Sequence, residues 1–330
     1  MTAASTDPGR ALVSASLVVC TTGRSDRMPG LVARLQAALR DQRAVSEAVV
    51  VDNSPEGSLS ELAGDGIRVV RAALPGLSLA RTVGCIQARG DVLVFTDDDV
   101  EFAPSWPGRM AAPILAGELD ATAAPVRLGP EFDDIASPLL RGWLAEANLP
   151  GDAVRLVGAG MALHRDLLGL GVWDQRLGAG VAGTAFGEET LFESMIRAQG
   201  ARIDVVADAE VVHHPDATRL GPDYWRRTAQ QKGLSEAYFA YHWLGETMPR
   251  PALRTARRRV RLWVHRRRHG SDPARFEQEL RLIHSLAVSA GFSRESRSPR
   301  AYPPRAAGSP TRATPSVPAA SVGSPETPRG

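Results

Sequence analysis

Val92-Leu93-Val94-Phe95-Thr96-Asp97-Asp98-Asp99 sets four apolar residues directly before three carboxylates. A short apolar run of this kind reads as a buried strand, and side chains apolar on both faces fit a parallel sheet covered from either side. The segment before it carries helical spacing from Leu79 to Ala88 and stops at Gly90, a residue suited to a helix C-terminus. Further upstream, Leu17-Val18-Val19-Cys20, Ala48-Val49-Val50-Val51 and Ile67-Arg68-Val69-Val70 read as three earlier strands, with a helix from Leu31 to Leu39 between the first two. Strand and helix alternating in this way specify an α/β fold built on a parallel sheet. Ligands of such sheets sit outside the carboxyl ends of the strands, so Asp52, which ends the second strand, and Asp97–Asp99 are expected to meet at one crevice.

The chain has 330 residues, 43% hydrophobic and 23% charged, which excludes a wholly disordered, collagen-like or membrane-spanning class. The net charge of +2 hides an uneven distribution, with arginine massed between Arg250 and Arg268 and acids near Asp97 and Glu188. Two cysteines, Cys20 and Cys85, imply no disulfide framework and are read as small core residues in a reducing compartment. No apolar run approaches the roughly 18–20 residues that span a bilayer, and no basic region precedes a long apolar stretch near the start. A soluble cytoplasmic protein is the expectation.

Residues 1–15 are small and polar and are expected to form a loose leader. The α/β domain is placed at 16–245, with a nucleotide-binding half at about 16–125 and a second half at about 126–245. In the second half, Val154 to Leu163 is a strand candidate, Gly178 to Gly187 a loop, Thr190 to Gln199 a helix, and strands are expected near Ile203 and Val211. A basic helical extension occupies 246–292, with helices from Pro251 to His269 and from Pro273 to Ala290. The Pro-, Ser- and Ala-rich stretch 293–330 cannot bury enough apolar area to offset its ordering entropy, and disorder is expected there.

Three adjacent carboxylates repel one another unless a cation or several donors compensate them. A divalent metal held by oxygen ligands, Mg²⁺ or Mn²⁺, is one compensator, and such ions commonly bridge carboxylates to substrate phosphates. A solvated acidic turn is the alternative from these residues alone.

Several separate stretches carry a resemblance in the same order. Thr96-Asp97-Asp98-Asp99-Val100 resembles the DXD element of family 2 glycosyltransferases. Ser16 to Arg24 resembles that family's opening strand and loop, and Val50-Val51-Asp52-Asn53-Ser54 its second strand with a base-binding Asp. Gly76 to Gly84 resembles a GLSxARNxG helix start, with Thr82 where Asn is usual. Gly158 to Arg165 is similar to a GANMAFRR-like strand, Trp173 to Gly178 to an FDERLG-like loop, and Gly187 to Phe192 to GEDxxF with Glu189 in place of Asp. Val211 to Pro215 takes the position of the closing histidine segment, so the resemblance spans about Ser16 to Pro215.

The resemblance implies a GT-A type fold, a Rossmann-like mostly parallel mixed sheet flanked by helices. It further implies inverting transfer of a sugar from a nucleoside diphosphate donor to an acceptor hydroxyl. On that reading Asp99, Asp97 and His213 are metal ligands, and Thr21, Asp52, Arg81, Asp97 and Asp98 line the donor site. Glu189 is the base, with Glu188 its competitor because the longer side chain changes the reach. From the residues alone, Glu188 and Glu189 could equally be acids favoured by a helix N-terminus, Asp52 a turn cap, and Arg81 a solvated helix residue. His214 points to the opposite face of an extended segment from His213, so only one of the two is expected to ligate. Gly158 and Arg165 are expected in the pocket wall.

The resemblance favours a UDP- or dTDP-sugar donor. The acceptor is open, with a lipid-linked saccharide and a natural product both compatible. The arginine-rich stretch 250–268, interleaved with Leu262, Trp263 and Val264, suggests peripheral contact with an anionic membrane at its inner face; a nucleic-acid partner is not expected. Two rival readings are a basic protein of that kind without transfer chemistry, and a non-catalytic nucleotide-binding α/β module. For the second, Gly158-Ala159-Gly160 is a weak signal, because it lacks the third glycine and follows no first βαβ unit.

Overall fold

The structure, a computed structural model, describes residues 14–23, 27–41, 45–57, 59–270 and 272–303. Its first part runs β1 (Ala15–Thr21), α1 (Met28–Arg40), β2 (Val45–Asp52), β3 (Ile67–Arg71), α2 (Leu77–Gln87) and β4 (Val92–Asp97). There follow β5 (Val100–Glu101), α3 (Trp106–Leu115), β6 (Ala121–Ala123), β7 (Val126–Leu128), α4 (Pro138–Trp143), β8 (Met161–His164), α5 (Glu188–Ala198), β9 (Ile203–Val205) and β10 (Val211–His213). Three helices close the described chain: α6 (Pro222–His242), α7 (Pro251–His269) and α8 (Phe276–Glu295).

Seven strands form one sheet in the order β3-β2-β1-β4-β8-β6-β9. β1, β2, β3 and β4 pair in parallel, as do β6 and β9, whereas β8 runs antiparallel to both its neighbours. A smaller sheet, β5-β10-β7, stands beside it. This is the mostly parallel mixed sheet flanked by helices that the sequence predicts. Leu17, Val19 and Val50 face one layer of helices, and Val18, Val49, Val51, Leu93 and Phe95 face the other. Each such side chain contributes roughly 1.5–3 kcal/mol by leaving water. On the second face α2 lies so close that a Cβ on Gly84 would sit 2.5 Å from Val18 Cγ1, so glycine sets the spacing of that layer.

Three expectations are corrected. Val154 to Leu163 is not one strand: only Met161–His164 pairs, and the preceding residues form an extended strip without ladder partners. The sequence reading assigns no element between 215 and 245, yet α6 occupies most of it. Its contact face is built of small residues that give little large-apolar periodicity: Gly233 faces the His284 carbonyl, and a Cβ on Gly291 of α8 would lie 2.5 Å from Ala237 Cβ.

The third correction concerns the two ends. Ala15, assigned to the leader, already belongs to β1, and residues 1–13 lie outside the described residues. The boundary at Phe292 falls inside α8, which continues to Glu295, and the chain beyond folds back onto α6. Tyr241 Oη donates to the Ser298 carbonyl at 2.9 Å, the Ala301 N–H donates to His242 Nδ1 at 2.9 Å, and Tyr302 Oη donates to Asp174 Oδ2 at 2.5 Å. Tyr302 also meets Trp243 edge-on, with ring centres 5.8 Å apart. Residues 304–330 lie outside the described residues.

Truncation after Phe292 should therefore lower the melting temperature, by roughly 5 °C or more, since several hydrogen bonds worth ~1 kcal/mol each are lost together with the packing of Tyr302. A thermal melt followed by circular dichroism checks this; an unchanged melt would show that the segment adds nothing to the fold.

Candidate active site

Strand register brings the predicted residues together. Thr21 pairs with Asp52 across β1 and β2, and Cys20 with Asp97 across β1 and β4, so the carboxyl ends of three strands lie side by side. The strand order also reverses between β1 and β4, and a crevice opens at such a switch point in an open α/β sheet. The N-terminus of α2 borders the crevice, tied to the glycine-rich loop by the Leu77 N–H donating to the Ala179 carbonyl at 2.9 Å and by Ser78 Oγ donating to the Leu177 carbonyl at 2.7 Å.

Arg81, on α2, is 2% exposed and crosses to the start of α5. Its Nη1 lies 2.9 Å from Glu188 Oε1 and 2.9 Å from Glu189 Oε1, and its Nη2 is 4.0 Å from Asp97 Oδ1. The guanidinium also stands 5.5 Å from the ring centre of Trp173, which is itself stacked on Phe192 at 4.3 Å. Gly158 makes room for it, since a Cβ there would coincide with Arg81 Nη2 and lie 2.9 Å from Glu189 Oε1. Arg81 is thus no solvated helix residue: it is the counter-ion of the glutamate pair and lies beside Asp97.

That arrangement separates the two acids. Burial raises the pKa of Glu188 to about 8, and the neighbouring charge of Glu189 adds to the effect. Burial acts on Glu189 in the same sense, yet Arg81 and a backbone N–H at the helix start outweigh it and hold Glu189 below its ordinary value. Burial and the ion pair with Arg81 thus favour the proton on Glu188 and the negative charge on Glu189. Two adjacent acids driven apart in this way are suited to different tasks.

The acidic run is distributed rather than converging. Thr21 Oγ1 donates to Asp98 Oδ2 at 2.6 Å. Asp99 has Arg27 Nη1 2.7 Å from Oδ2 and His213 Nε2 3.2 Å from Oδ1. The Arg27 contact is a charge contact only, because that N–H is not aimed for a hydrogen bond. Asp97 turns toward Arg81, and burial together with Asp99 raises its pKa to about 6. Among the described residues no three His, Cys, Asp or Glu side chains are drawn round a common point that could hold a metal. Of the three expected ligands, Asp99 and His213 touch and Asp97 does not join them. The donor chemistry still fits a hard divalent cation: carboxylate oxygens and one imidazole nitrogen, with His213 Nδ1 fixed on the Leu144 carbonyl at 2.8 Å so that Nε2 faces Asp99.

The other expected residues divide as follows. Asp52 is buried, and its carboxylate accepts from Ser54 N and Oγ at 2.9 and 2.6 Å and from Leu59 N at 3.3 Å, with Arg71 Nη1 at 3.2 Å. It thus caps the turn that follows β2. Arg165 is corrected: it is no pocket wall but caps α2, donating to the carbonyls of Cys85, Ala88 and Gly90 at 2.9, 2.6 and 2.9 Å. His214 lies on the far face against Glu131 and Glu101, as its alternation predicts. Cys85 is in the core, whereas Cys20 is only half-buried at the strand end; both are free thiols. Sequence reading missed Tyr238 and Tyr302, whose hydroxyls both donate to Asp174 at 2.5 Å, and Arg27 on Asp99. The tyrosines lie 64 and 128 residues from their acceptor, and no local pattern reports such pairs.

Residues 16–153 match the family described as Glycosyl transferase family 2. No curated protein matches the chain. Among solved structures, GalNAc-T7 with UDP, GalNAc and Mn²⁺ is similar at 17% identity over 69% of this chain and 50% of that one, with a TM-score of 0.45. This chain thus spans half the length of GalNAc-T7. TarS of S. aureus in complex with UDP-GlcNAc is similar at 18% identity, 67% of this chain and 66% of that one, TM-score 0.47. Glucosyl-3-phosphoglycerate synthase from Mycobacterium tuberculosis, in complex with Mn²⁺, UDP and phosphoglyceric acid, is similar at 21% identity, 67% and 76% coverage, TM-score 0.45.

The split between the glutamates has a stability signature. The unfolded chain releases the Glu188 proton near 4.5, whereas the folded chain keeps it to about 8. Between those values the folded state binds more protons, so this group's contribution is fully present below the lower value and is lost as pH rises toward the upper one. The melting temperature of Glu188→Gln should therefore depend less steeply on pH than that of the wild type across this window, as measured by melts in a series of buffers.

Proposed function

We propose that this chain, a family 2-like glycosyltransferase, moves a sugar from a nucleoside diphosphate donor to an acceptor hydroxyl with inversion at the anomeric carbon. The observation that carries this reading is the Arg81 bridge, which ties Glu189 at the start of α5 to a guanidinium 4.0 Å from Asp97, the last residue of β4. UDP and dTDP sugars are the favoured donors, with the base near Asp52 and Thr21 and the diphosphate toward Asp97 and Asp98.

In this mechanism Glu189 takes the proton of the acceptor hydroxyl as its oxygen attacks the anomeric carbon opposite the departing diphosphate. General-base assistance of this kind supplies about 10² to 10⁴ in rate. Protonated Glu188 keeps negative charge from accumulating beside Arg81 and leaves the guanidinium to hold Glu189 in place. A divalent cation, Mg²⁺ or Mn²⁺, held by Asp99 and His213, would stabilise charge on the leaving diphosphate. Trp173 covers one face of the Arg81 guanidinium that holds the glutamates.

The exposed face of α7 carries Val260 and Trp263 among arginines, an amphipathic pattern suited to an anionic bilayer surface. No helix among the described residues is long and apolar enough to cross a membrane. We place the chain in the cytoplasm, with α7 able to bring it to the inner face of the membrane, where a lipid-linked saccharide would be within reach; salt-sensitive pelleting with anionic vesicles tests this.

Glu189→Gln preserves shape but cannot take the proton, so kcat should fall about 10² to 10⁴-fold with donor Kd held, and Glu188→Gln should fall less. A larger loss in the Glu188 variant transfers the role to that residue, and normal turnover in both removes the base from the mechanism. Asp99→Ala should abolish the thermal shift that a UDP sugar with Mn²⁺ produces in the wild type, because a ligand that binds only the folded state raises its apparent stability. A full shift in that variant would take Asp99 out of donor binding.

A further inference from the structure

A groove lies between the last three helices, lined by none of the crevice residues. Its volume of about 510 Å³ falls within the roughly 300–1,000 Å³ of small-molecule sites. The floor is apolar, made by Leu234 of α6, Leu262 of α7 and Ile283, Ala287 and Ala290 of α8. The two alanines supply floor without bulk, so the space above them stays open. Polar bonds fasten α7 to α8 beside it: Arg266 Nε donates to Glu279 Oε1 at 2.8 Å, and Arg258 Nη1 donates to the Ser285 carbonyl at 2.5 Å.

The rim sets four arginines, Arg226, Arg227, Arg259 and Arg266, against one acid, Asp223. A single carboxylate, Glu279, 4% exposed, fixes two of them. It accepts from Arg226 Nε and Nη2, each at 3.2 Å, and from Arg266 Nε, while Arg226 Nη1 donates to Asp223 at 3.1 Å. Arg266 commits only its Nε, which leaves its terminal nitrogens to a ligand. Arg227 and Arg259 are exposed, and neither pairs with a described residue. Positive charge therefore remains on the rim once the internal pairs are made.

An apolar floor under a cationic rim matches a molecule with both an alkyl chain and an anionic head. A free anion would leave the floor wet, and a neutral chain would leave the guanidiniums without a partner. Of anionic heads, phosphate suits best, because a guanidinium fork takes two of its oxygens at once. Val260 and Trp263, 60% and 59% exposed, follow Arg259 and Leu262 by one residue, roughly 100° round α7. The α7 wall of the groove thus adjoins the stripe suited to a bilayer surface, which makes a membrane lipid the nearest source of such a molecule. At the inner end, Leu234 borders the glycine-rich loop that leads to Glu188, since a Cβ on Gly183 would lie 3.8 Å from it.

We propose that this groove binds one anionic membrane lipid, its phosphate head among Arg227, Arg259 and Arg266 and the first part of its chain along Leu262, Ile283 and Ala290. The bilayer as source rests on the membrane-contact reading of α7; the match between the groove and an alkyl phosphate does not.

Radiolabelled dodecyl phosphate, kept below its micelle concentration, is dialysed to equilibrium against the full chain. One molecule should bind per chain, with inorganic phosphate and uncharged dodecyl maltoside at least tenfold weaker. Arg227→Gln combined with Arg259→Gln should weaken binding about tenfold or more, equivalent to ~1.4 kcal/mol. Ala290→Leu, which fills the floor, should abolish it, and an unchanged circular-dichroism melt shows that each variant is folded. No saturable binding, equal binding of inorganic phosphate, or full binding in the arginine variant overturns the proposal. Tighter binding of an acidic amphipathic peptide that displaces dodecyl phosphate overturns it too, by making the groove a protein-docking site. Trp263→Ala should keep dodecyl phosphate binding while reducing pelleting with phosphatidic acid vesicles. Dodecyl phosphate binding in a wild-type chain that does not pellet would remove the membrane reading and leave the alkyl phosphate site standing.

Discussion

A guanidinium shared by two glutamates holds the crevice together. Arg81 reaches from α2 to α5, and its burial is tolerable only because charge, ring face and backbone all close round it. Desolvating ions in this way is costly, and removing one partner of such a buried group costs about 3–5 kcal/mol because the other charge is left uncompensated. The rest of the site follows from this contact. Gly158 must lack a Cβ, Trp173 must present its face, and α2 must start beside the glycine-rich loop for the side chain to point across. Arg165 serves the same geometry from the opposite end of α2 by taking up its last carbonyls, a favourable place for a cation.

The same economy of charge explains the acidic run. Three neighbouring carboxylates suggest a single cation as their remedy, but the fold gives them separate partners. Asp98 has the Thr21 hydroxyl, Asp99 has Arg27 and His213, and Asp97 leans toward Arg81. Like-charge repulsion is therefore relieved in part, although Asp99 still helps to raise the pKa of Asp97. What a metal would add is a link between Asp99 and a phosphate, a role that concerns the substrate more than the stability of the strand end.

The sheet was legible because its strands are continuous apolar runs and its helices keep a regular period. Leu17–Cys20, Ala48–Val51 and Val92–Phe95 could hardly be anything but buried strands, and their register then fixes Thr21, Asp52 and Asp97 as neighbours. Glu188 and Glu189 were legible as candidates through the resemblance. Their different protonation was not, since it depends on Arg81, 107 residues earlier in the chain than Glu188. Arg165 was misplaced because a cation just past a strand looks the same in sequence whether it faces a ligand or a helix end. The strip from Val154 to Val157 looked like strand because its residues are β-formers; the partner that would complete a ladder is replaced by side-chain bonds from Glu193 and Arg197.

The bond from Tyr302 to Asp174 spans 128 residues of chain. A ribosome releases the protein from its N-terminus, and the parallel strands can assemble while the later helices are still being made. The loop that carries Trp173, the pad beneath Arg81, receives its second tyrosine only after almost all of the described chain has emerged. That bond is therefore among the last of the fold to form, and a nascent chain arrested before residue 302 would carry the sheet with Asp174 still lacking one of its two tyrosine donors.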